Sequence, residues 1–257
     1  VWITGASSGI GAALAIEYHG QGASVILSAR RKEKLDALAS KLKERVAVVP
    51  MDVTQIDEID TIHTQVVGCF GPIDILVNNA GISQRGTVLE TDIQVVRKIM
   101  EVNFIGNVAV SKAVLPSMVE RKKGTIVVIS SLVGKLGTPF RSTYSASKHA
   151  LHGYYDALRA EVDGENIQIT IVCPGYIKTD ISLHALHGDG EKHGVMDDNQ
   201  AQGMDVTKCA KKIYKSVKAG NRECIVGGSE TKYLMVRRFL PSVYHNAIAK
   251  MYKNKQF

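Results

Sequence analysis

Short runs of apolar residues recur along this chain, separated by longer stretches whose apolar positions return every three or four residues. The first pattern suits a buried strand and the second an amphipathic helix. The run 1–3 leads into a glycine-rich turn, and Ala12, Leu14, Ala15 and Tyr18 follow at helical spacing. Further strands are predicted over 23–29, 45–50, 73–77, 125–129 and 167–172, with a short last one over Glu223–Val226. Helices are predicted over 57–69, 92–120 and 144–162. Strands alternating with helices fold as a parallel sheet covered on both faces. The expected fold class is therefore α/β: a single-domain, doubly wound parallel sheet of about seven strands with helices on both faces. Ligands in such sheets bind beyond the carboxyl ends of the strands. Gly5, Asp52, Asn78, Ser131 and Pro174 each follow a predicted strand end, so the fold gathers them along one edge.

The first turn reads Thr4-Gly5-Ala6-Ser7-Ser8-Gly9-Ile10-Gly11, a Gly-x-x-x-Gly-x-Gly spacing. Glycine permits the sharp turn and the close approach of a pyrophosphate. The helix that follows points free N–H groups and its positive dipole end at the phosphates. Strand before and helix after make this a Rossmann-type nucleotide turn. In NAD-binding versions an acid about 20 residues beyond the glycines takes the ribose hydroxyls. The best-aligned position here is Ala29, and no acid follows until Glu33. Arg30 and Arg31 stand where a 2′-phosphate needs cations, and guanidinium forks suit phosphate. NADP(H) is expected over NAD(H).

Tyr144 and Lys148 lie four apart at the start of a predicted helix and so share a face. A free phenol has a pKa of about 10. A nearby ammonium lowers it, bringing the phenol into use as an acid or base. Ser131, thirteen positions before the tyrosine, offers a hydroxyl to hold a carbonyl oxygen during the proton transfer.

These residues together resemble the short-chain dehydrogenase/reductase family over residues 1–180. The turn 4–11 matches its cofactor motif and Asn78-Asn79-Ala80-Gly81 its structural motif. Ser131, Tyr144 and Lys148 match its catalytic triad, and Pro174-Gly175 the motif after the sixth strand. Segments 79–85, 139–144, 158–162 and 174–179 resemble the dehydrogenase/reductase member 7 group, which is related to the microsomal 11β-hydroxysteroid dehydrogenases. The resemblance implies a hydride transfer between the nicotinamide and a carbonyl carbon. Tyr144 exchanges the proton, Lys148 tunes it and holds the nicotinamide ribose, and Ser131 polarises the carbonyl. Asn103 aligns with a fourth catalytic residue that steadies a relay water, and Ser130 is the less well spaced of the two serines. By the same resemblance Gly5, Ser7, Ser8, Gly9, Ile10 and Gly11 line the pyrophosphate side, Asp52 and Val53 border the adenine, and Asn79, with Ala80 and Gly81, meets the ribose. Pro174, Gly175, Ile177 and Thr179 complete the carboxamide end.

Residues 180–205 lack a clean period, and in the family this region is the substrate lid. Leu183, Leu186, Val195 and Met196 are expected to give it an apolar wall, with Leu136 and Tyr176 facing the same space. That favours a lipophilic carbonyl or alcohol such as a steroid, retinoid or xenobiotic ketone. The competing readings are an NADP(H)-binding sensor or scaffold with vestigial activity and a 3-ketoacyl reductase. The intact Asn103, Ser131, Tyr144, Lys148 set weighs against the first, and the long lid and tail against the second. Family dimers form through helices near 104–121 and 145–162, so a homodimer or homotetramer is expected.

Net charge is +7, but residues 231–257 carry six basic residues and no acid, leaving the rest at +1. Charge confined to a tail does not suit a nucleic-acid partner, which needs a larger basic face. The tail also carries aromatic and aliphatic residues from Tyr233 to Phe257, a mixture in short helices that suits a membrane surface. A helix covering the active site or a dimer contact explains the same residues. The domain is thus expected over 1–230, with a basic apolar extension over 231–257. Nothing in the sequence reads as a run of 18 apolar residues. The chain begins at Val1 partway into a strand, so further residues are expected upstream, where microsomal relatives carry an anchor. An endoplasmic reticulum membrane-associated location is favoured over a cytoplasmic one. Four separated cysteines read as reduced thiols. His184, His187 and His193 read as loop residues, and no metal is expected.

Overall fold

The computed structural model describes residues 1–253. Lys255 and Phe257, counted above in the tail, lie outside them. Seven parallel strands form one sheet in the order β3-β2-β1-β4-β5-β6-β7. They are β1 (Trp2–Thr4), β2 (Val25–Ser28), β3 (Val46–Val48), β4 (Ile75–Asn78), β5 (Gly124–Ile129), β6 (Ile167–Pro174) and β7 (Glu223–Val226). Trp2 pairs with Ile26 on one side and Leu76 on the other, so strand order reverses at β1. Crevices for ligands open at such a switch point.

Side chains alternate across each strand and divide the core into two layers. Trp2, Ile26, Leu76, Ile126 and Ile171 face α3 (Ile59–Phe70), α5 (Gly106–Glu120) and α6 (Ser142–Glu161), where Val66, Val114, Met118, Leu151 and Tyr155 meet them. Ile3, Leu27, Val77, Val127 and Val172 face the opposite way, against Leu14 of α1 (Gly9–Gly20), Leu35 of α2 (Lys32–Leu42) and Ile213 of α8 (Val206–Lys218). The hydrophobic pattern assigns no element to α8, yet Cys209, Ala210, Ile213 and Val217 form its buried stripe.

The helix predicted over 92–120 is one continuous segment with an irregular middle. α4 (Ile93–Met100) passes through a π-turn, Glu101–Ile105, into α5. Residues 93–120 are long and apolar enough to cross a bilayer, with mean hydropathy 1.3 over the best window. Here Val95, Ile99, Val110, Val114 and Met118 are buried in the protein, making it a helix of the covering layer. The strand predicted over 45–50 shortens to β3: Arg45, at φ +52°, leaves the extended conformation, although its carbonyl still accepts from the Val25 N–H at 2.9 Å. The lid segment stays irregular apart from α7 (Asp198–Ala201). The tail forms two helices, α9 (Tyr233–Phe239) and α10 (Pro241–Lys253).

Candidate active site

At the glycine turn, Gly5 and Gly9 have φ of +64° and +57°, conformations glycine adopts without strain. A Cβ on Gly11 would lie 2.4 Å from Asn79 Nδ2 and 2.5 Å from the Gly5 carbonyl. Gly11 therefore serves the packing of α1 onto the turn rather than the cavity wall. Ser8 precedes α1 and makes no side-chain cap, leaving the first-turn N–H groups without a side-chain acceptor there. The Thr4 hydroxyl accepts from the Asn79 and Ala80 N–H groups at 3.0 and 3.1 Å. Asn79 Nδ2 donates to the Thr4 and Gly5 carbonyls at 3.0 and 3.1 Å. Its amide thus ties the two loops together. This bare backbone at a helix N-terminus suits a pyrophosphate.

A cavity of about 600 Å³ runs from this turn past the ends of β2, β4, β5 and β6. That size is in the ordinary range for a ligand site. Gly5, Ser7, Ser8, Gly9, Ile10, Arg30, Arg31, Asp52, Val53, Asn79, Ala80 and Gly81 line one part of it. Ser131, Leu136, Tyr144, Lys148, Pro174, Gly175, Tyr176, Ile177 and Thr179 line the other. Arg31 Nη2 donates to the Ser7 and Ser8 hydroxyls at 3.1 and 3.2 Å. Arg30 is more exposed, with Nη1 4.0 Å from the Asp52 carboxylate. Two guanidiniums thus stand beside the glycine turn, just beyond the end of β2.

Tyr144 sits near the start of α6, which Gln84 fixes by accepting from the Thr143 N–H at 2.8 Å. Burial pushes the Tyr144 phenol up, while a hydrogen bond from Ser131 and the charges of Arg141 and Arg85 pull it back. The lowering expected from Lys148 is not what governs it in this state. The Lys148 ammonium stands 5.8 Å from the ring centre and donates to the Ile129 carbonyl at 2.8 Å. Lys148 is itself buried, which lowers its pKa to about 8. Ser131 also lies by the Pro174 carbonyl, at 3.3 Å. Ser130 lines the cavity too, but its hydroxyl is engaged 3.0 Å from His152 Nε2 and 3.3 Å from the Lys148 carbonyl.

Asn103 lies in the π-turn, fully buried and behind the cavity wall. Its Oδ1 accepts from the Ile82 N–H at 2.8 Å, and its Nδ2 donates to the Ile82 carbonyl and the Ser147 hydroxyl, both at 2.9 Å. A Cβ on Gly81 would lie 3.2 Å from Asn103 Oδ1 and 3.4 Å from Lys148 Nζ, a tight fit beside both side chains.

The profile described as short chain dehydrogenase matches residues 1–188. The chain belongs to this family. This short-chain dehydrogenase is 41% identical over 250 residues to the mouse (Mus musculus) protein named dehydrogenase/reductase SDR family member 7B, covering 95% of this chain and 74% of the relative. The Anopheles gambiae dehydrogenase/reductase SDR family protein 7-like is 44% identical over 253 residues, covering 95% and 80%. A solved short-chain dehydrogenase from Streptomyces avermitilis superposes with a TM-score of 0.85 at 32% identity, covering 99% of this chain and 97% of the other.

The far end of the cavity, where the sequence reading expects the substrate, differs in part from that expectation. Leu186 lines the cavity, but Leu183, Val195 and Met196 do not, and Val195 points outward at 58% exposure. The tail adds to the expected Leu136, Tyr176 and Leu186: Tyr233, Tyr244, Ile248 and Met251 also line the cavity. Tyr244 is 2% exposed, packs with Val133, Leu136 and Tyr144, and donates to the Gly137 carbonyl at 2.8 Å. The tail's apolar residues are thus divided, for Met235, Phe239, Leu240 and Val243 remain over half exposed.

Sequence reasoning assigned no role to Arg85, Arg141 and Asp197, which form an ion cluster beside Tyr144. It also missed Glu230, whose Oε1 accepts from the Tyr176 and Gly228 N–H groups at 2.9 and 3.0 Å. Of the lid histidines, His187 and His193 lie 3.2 Å apart and His193 is 3.4 Å from Asp197. Elsewhere His152, Cys173 and Glu223 bring ligand atoms within 4.8 Å of one another, with His152 engaged by Ser130 and Glu223 by Lys135.

Proposed function

We propose that this short-chain dehydrogenase is an NADP(H)-dependent oxidoreductase that interconverts a carbonyl and an alcohol on a lipophilic substrate such as a steroid, retinoid or xenobiotic ketone. The reading rests on one juxtaposition: Ser131, Tyr144 and Lys148 line the same cavity as the glycine turn, beside an apolar wall. When bound, the nicotinamide supplies or accepts the hydride. Burial keeps Tyr144 protonated and ready to donate to the carbonyl oxygen, while the Ser131 hydroxyl holds that oxygen in place. Lys148 is placed to stabilise the phenolate left behind. Leu136, Tyr244 and Ile248 give this end an apolar lining.

Arg30 and Arg31 support NADP(H), through charge at the ribose end. The exposed apolar residues of α9 and the α9–α10 turn, with Lys232, Arg237 and Arg238, support peripheral contact with a membrane of the endoplasmic reticulum. A homodimer through the segments near 104–121 and 145–162 completes the proposal. The test is oxidation of NADPH, followed at 340 nm, with steroid, retinoid, quinone and aromatic carbonyls. Turnover that disappears in Tyr144→Phe carries the reading; equal turnover in that variant ends it.

A further inference from the structure

Arg141 is 9% exposed, lines the cavity and lies three residues before Tyr144. Its guanidinium stands 5.8 Å from the Tyr176 ring centre. Nη2 donates to Asp197 Oδ2 at 3.2 Å, but Nε and Nη1 make no hydrogen bond among the described residues. Arg85 lines the same cavity and spends its donors on Asp197, Ser83 and the Gln84 carbonyl. Asp197 lies outside the cavity wall, so one carboxylate serves both guanidiniums from behind. His193 is its other neighbour, and burial disfavours that imidazole's charge. Two cations and one anion leave this cluster with a net positive charge; Leu136, Tyr244 and Ile248 line the same cavity, and the Glu230 carboxylate that also lines it is held by the Tyr176 and Gly228 N–H groups. Arg141 thus keeps free donors at the cavity wall, where an anion would meet them with charge-assisted bonds.

Building on the carbonyl–alcohol reading, we infer that Arg141, backed by Arg85, seats an acidic group of the substrate, a carboxylate or phosphate, beside the carbonyl that Tyr144 serves. The substrate is then an acidic lipid-like ketone or alcohol rather than a neutral one. Guanidinium presents a planar fork to either acid, and such charge-assisted bonds are roughly twice as strong as neutral ones. Asp197, on the lid, holds the fork in place from its far side.

Calorimetric titration of octanoate, octyl phosphate and 1-octanol into the NADP+-saturated protein tests this. The acids are expected to bind about 10- to 100-fold tighter than the alcohol, as befits a desolvated charged pair. Arg141→Gln should remove most of that preference, and Arg141→Lys should keep part, since charge stays but the fork is lost. Which acid binds tighter tells carboxylate from phosphate. Equal or tighter binding of octanol, or an undiminished preference in Arg141→Gln, overturns the inference. Neutral ketones reduced without any preference for acids would leave the reductase reading standing and remove this one. A preference lost in Arg141→Gln, with no ketone oxidising NADPH, would sustain the anion seat and remove the reductase reading.

Discussion

At the scale of single residues, the site depends on two side chains held in protonation states that burial opposes or enforces. Tyr144 stays a phenol because its anion is poorly solvated, so Tyr144→Phe removes the proton donor while leaving shape intact. A loss of about 10²- to 10⁴-fold in turnover is expected, with cofactor affinity changed little. Lys148 is the reverse case. Its folded pKa of about 8 lies below the ordinary lysine value of 10.5, so the unfolded chain holds more protons between those values. Stability therefore rises with pH across that window, and below pH 8 the burial cost is fully present. Lys148→Met should raise the unfolding free energy at pH 7 by ~1–3 kcal/mol while abolishing turnover. Denaturant melts at pH 7 and 10.5 check this: the gap between variant and wild type should shrink at the higher pH. A pH-independent gap would mean that the ammonium is solvated. Arg31→Ala should weaken NADPH binding by about 10-fold or more and leave NADH nearly untouched, read by fluorescence titration.

At the scale of elements, close contacts decide more than propensity does. Helix α1 reaches the nucleotide turn because Gly11 has no side chain. Gly11→Ala forces a methyl to within 2.5 Å of the Gly5 carbonyl and closer still to Asn79. A loss of about 1–3 kcal/mol is expected in thermal unfolding, together with weaker cofactor binding. Helix α10 closes the far end through Tyr244. Tyr244→Phe removes only the bond to Gly137, at about 1 kcal/mol. Tyr244→Ala also opens the wall against Leu136 and Tyr144, at about 3–5 kcal/mol, and should raise KM for lipophilic substrates. Equal melting temperatures for the alanine and phenylalanine variants would show that α10 does not seal the cavity.

At the scale of the whole molecule, the tail has two faces with different work. One side closes the cavity, and the other leaves Met235, Phe239, Leu240 and Val243 exposed beside Arg237 and Arg238. Co-sedimentation with vesicles of phosphatidylcholine and phosphatidylserine should recover the protein in the pellet at low salt. Phe239→Ser combined with Leu240→Ser should return it to the supernatant without disturbing Tyr244. Recovery of wild type in the supernatant at every salt concentration would remove the membrane reading. Light scattering of the eluting protein gives the oligomeric state, for which a dimer is expected.

Much of this was legible along the chain because it is local. A strand, a glycine turn and a helix are neighbours in sequence, so the nucleotide turn declares itself, as do Tyr144 and Lys148 one helical turn apart. Gly5, Asp52, Asn78, Ser131 and Pro174 were predictable as one edge because a parallel sheet aligns the ends of its strands. Tertiary structure alone decided what depends on distant pairs. It set Asp197 between Arg85 and Arg141 and turned Tyr244 onto Leu136 across a separation of over 100 residues. It also sent Val195 into solvent and added Tyr244, Ile248 and Met251 of α10 to the cavity wall. An irregular lid and a short amphipathic tail carry no period that says which face is covered. Their burial is set by the surface they meet, and that surface exists only once the sheet has formed.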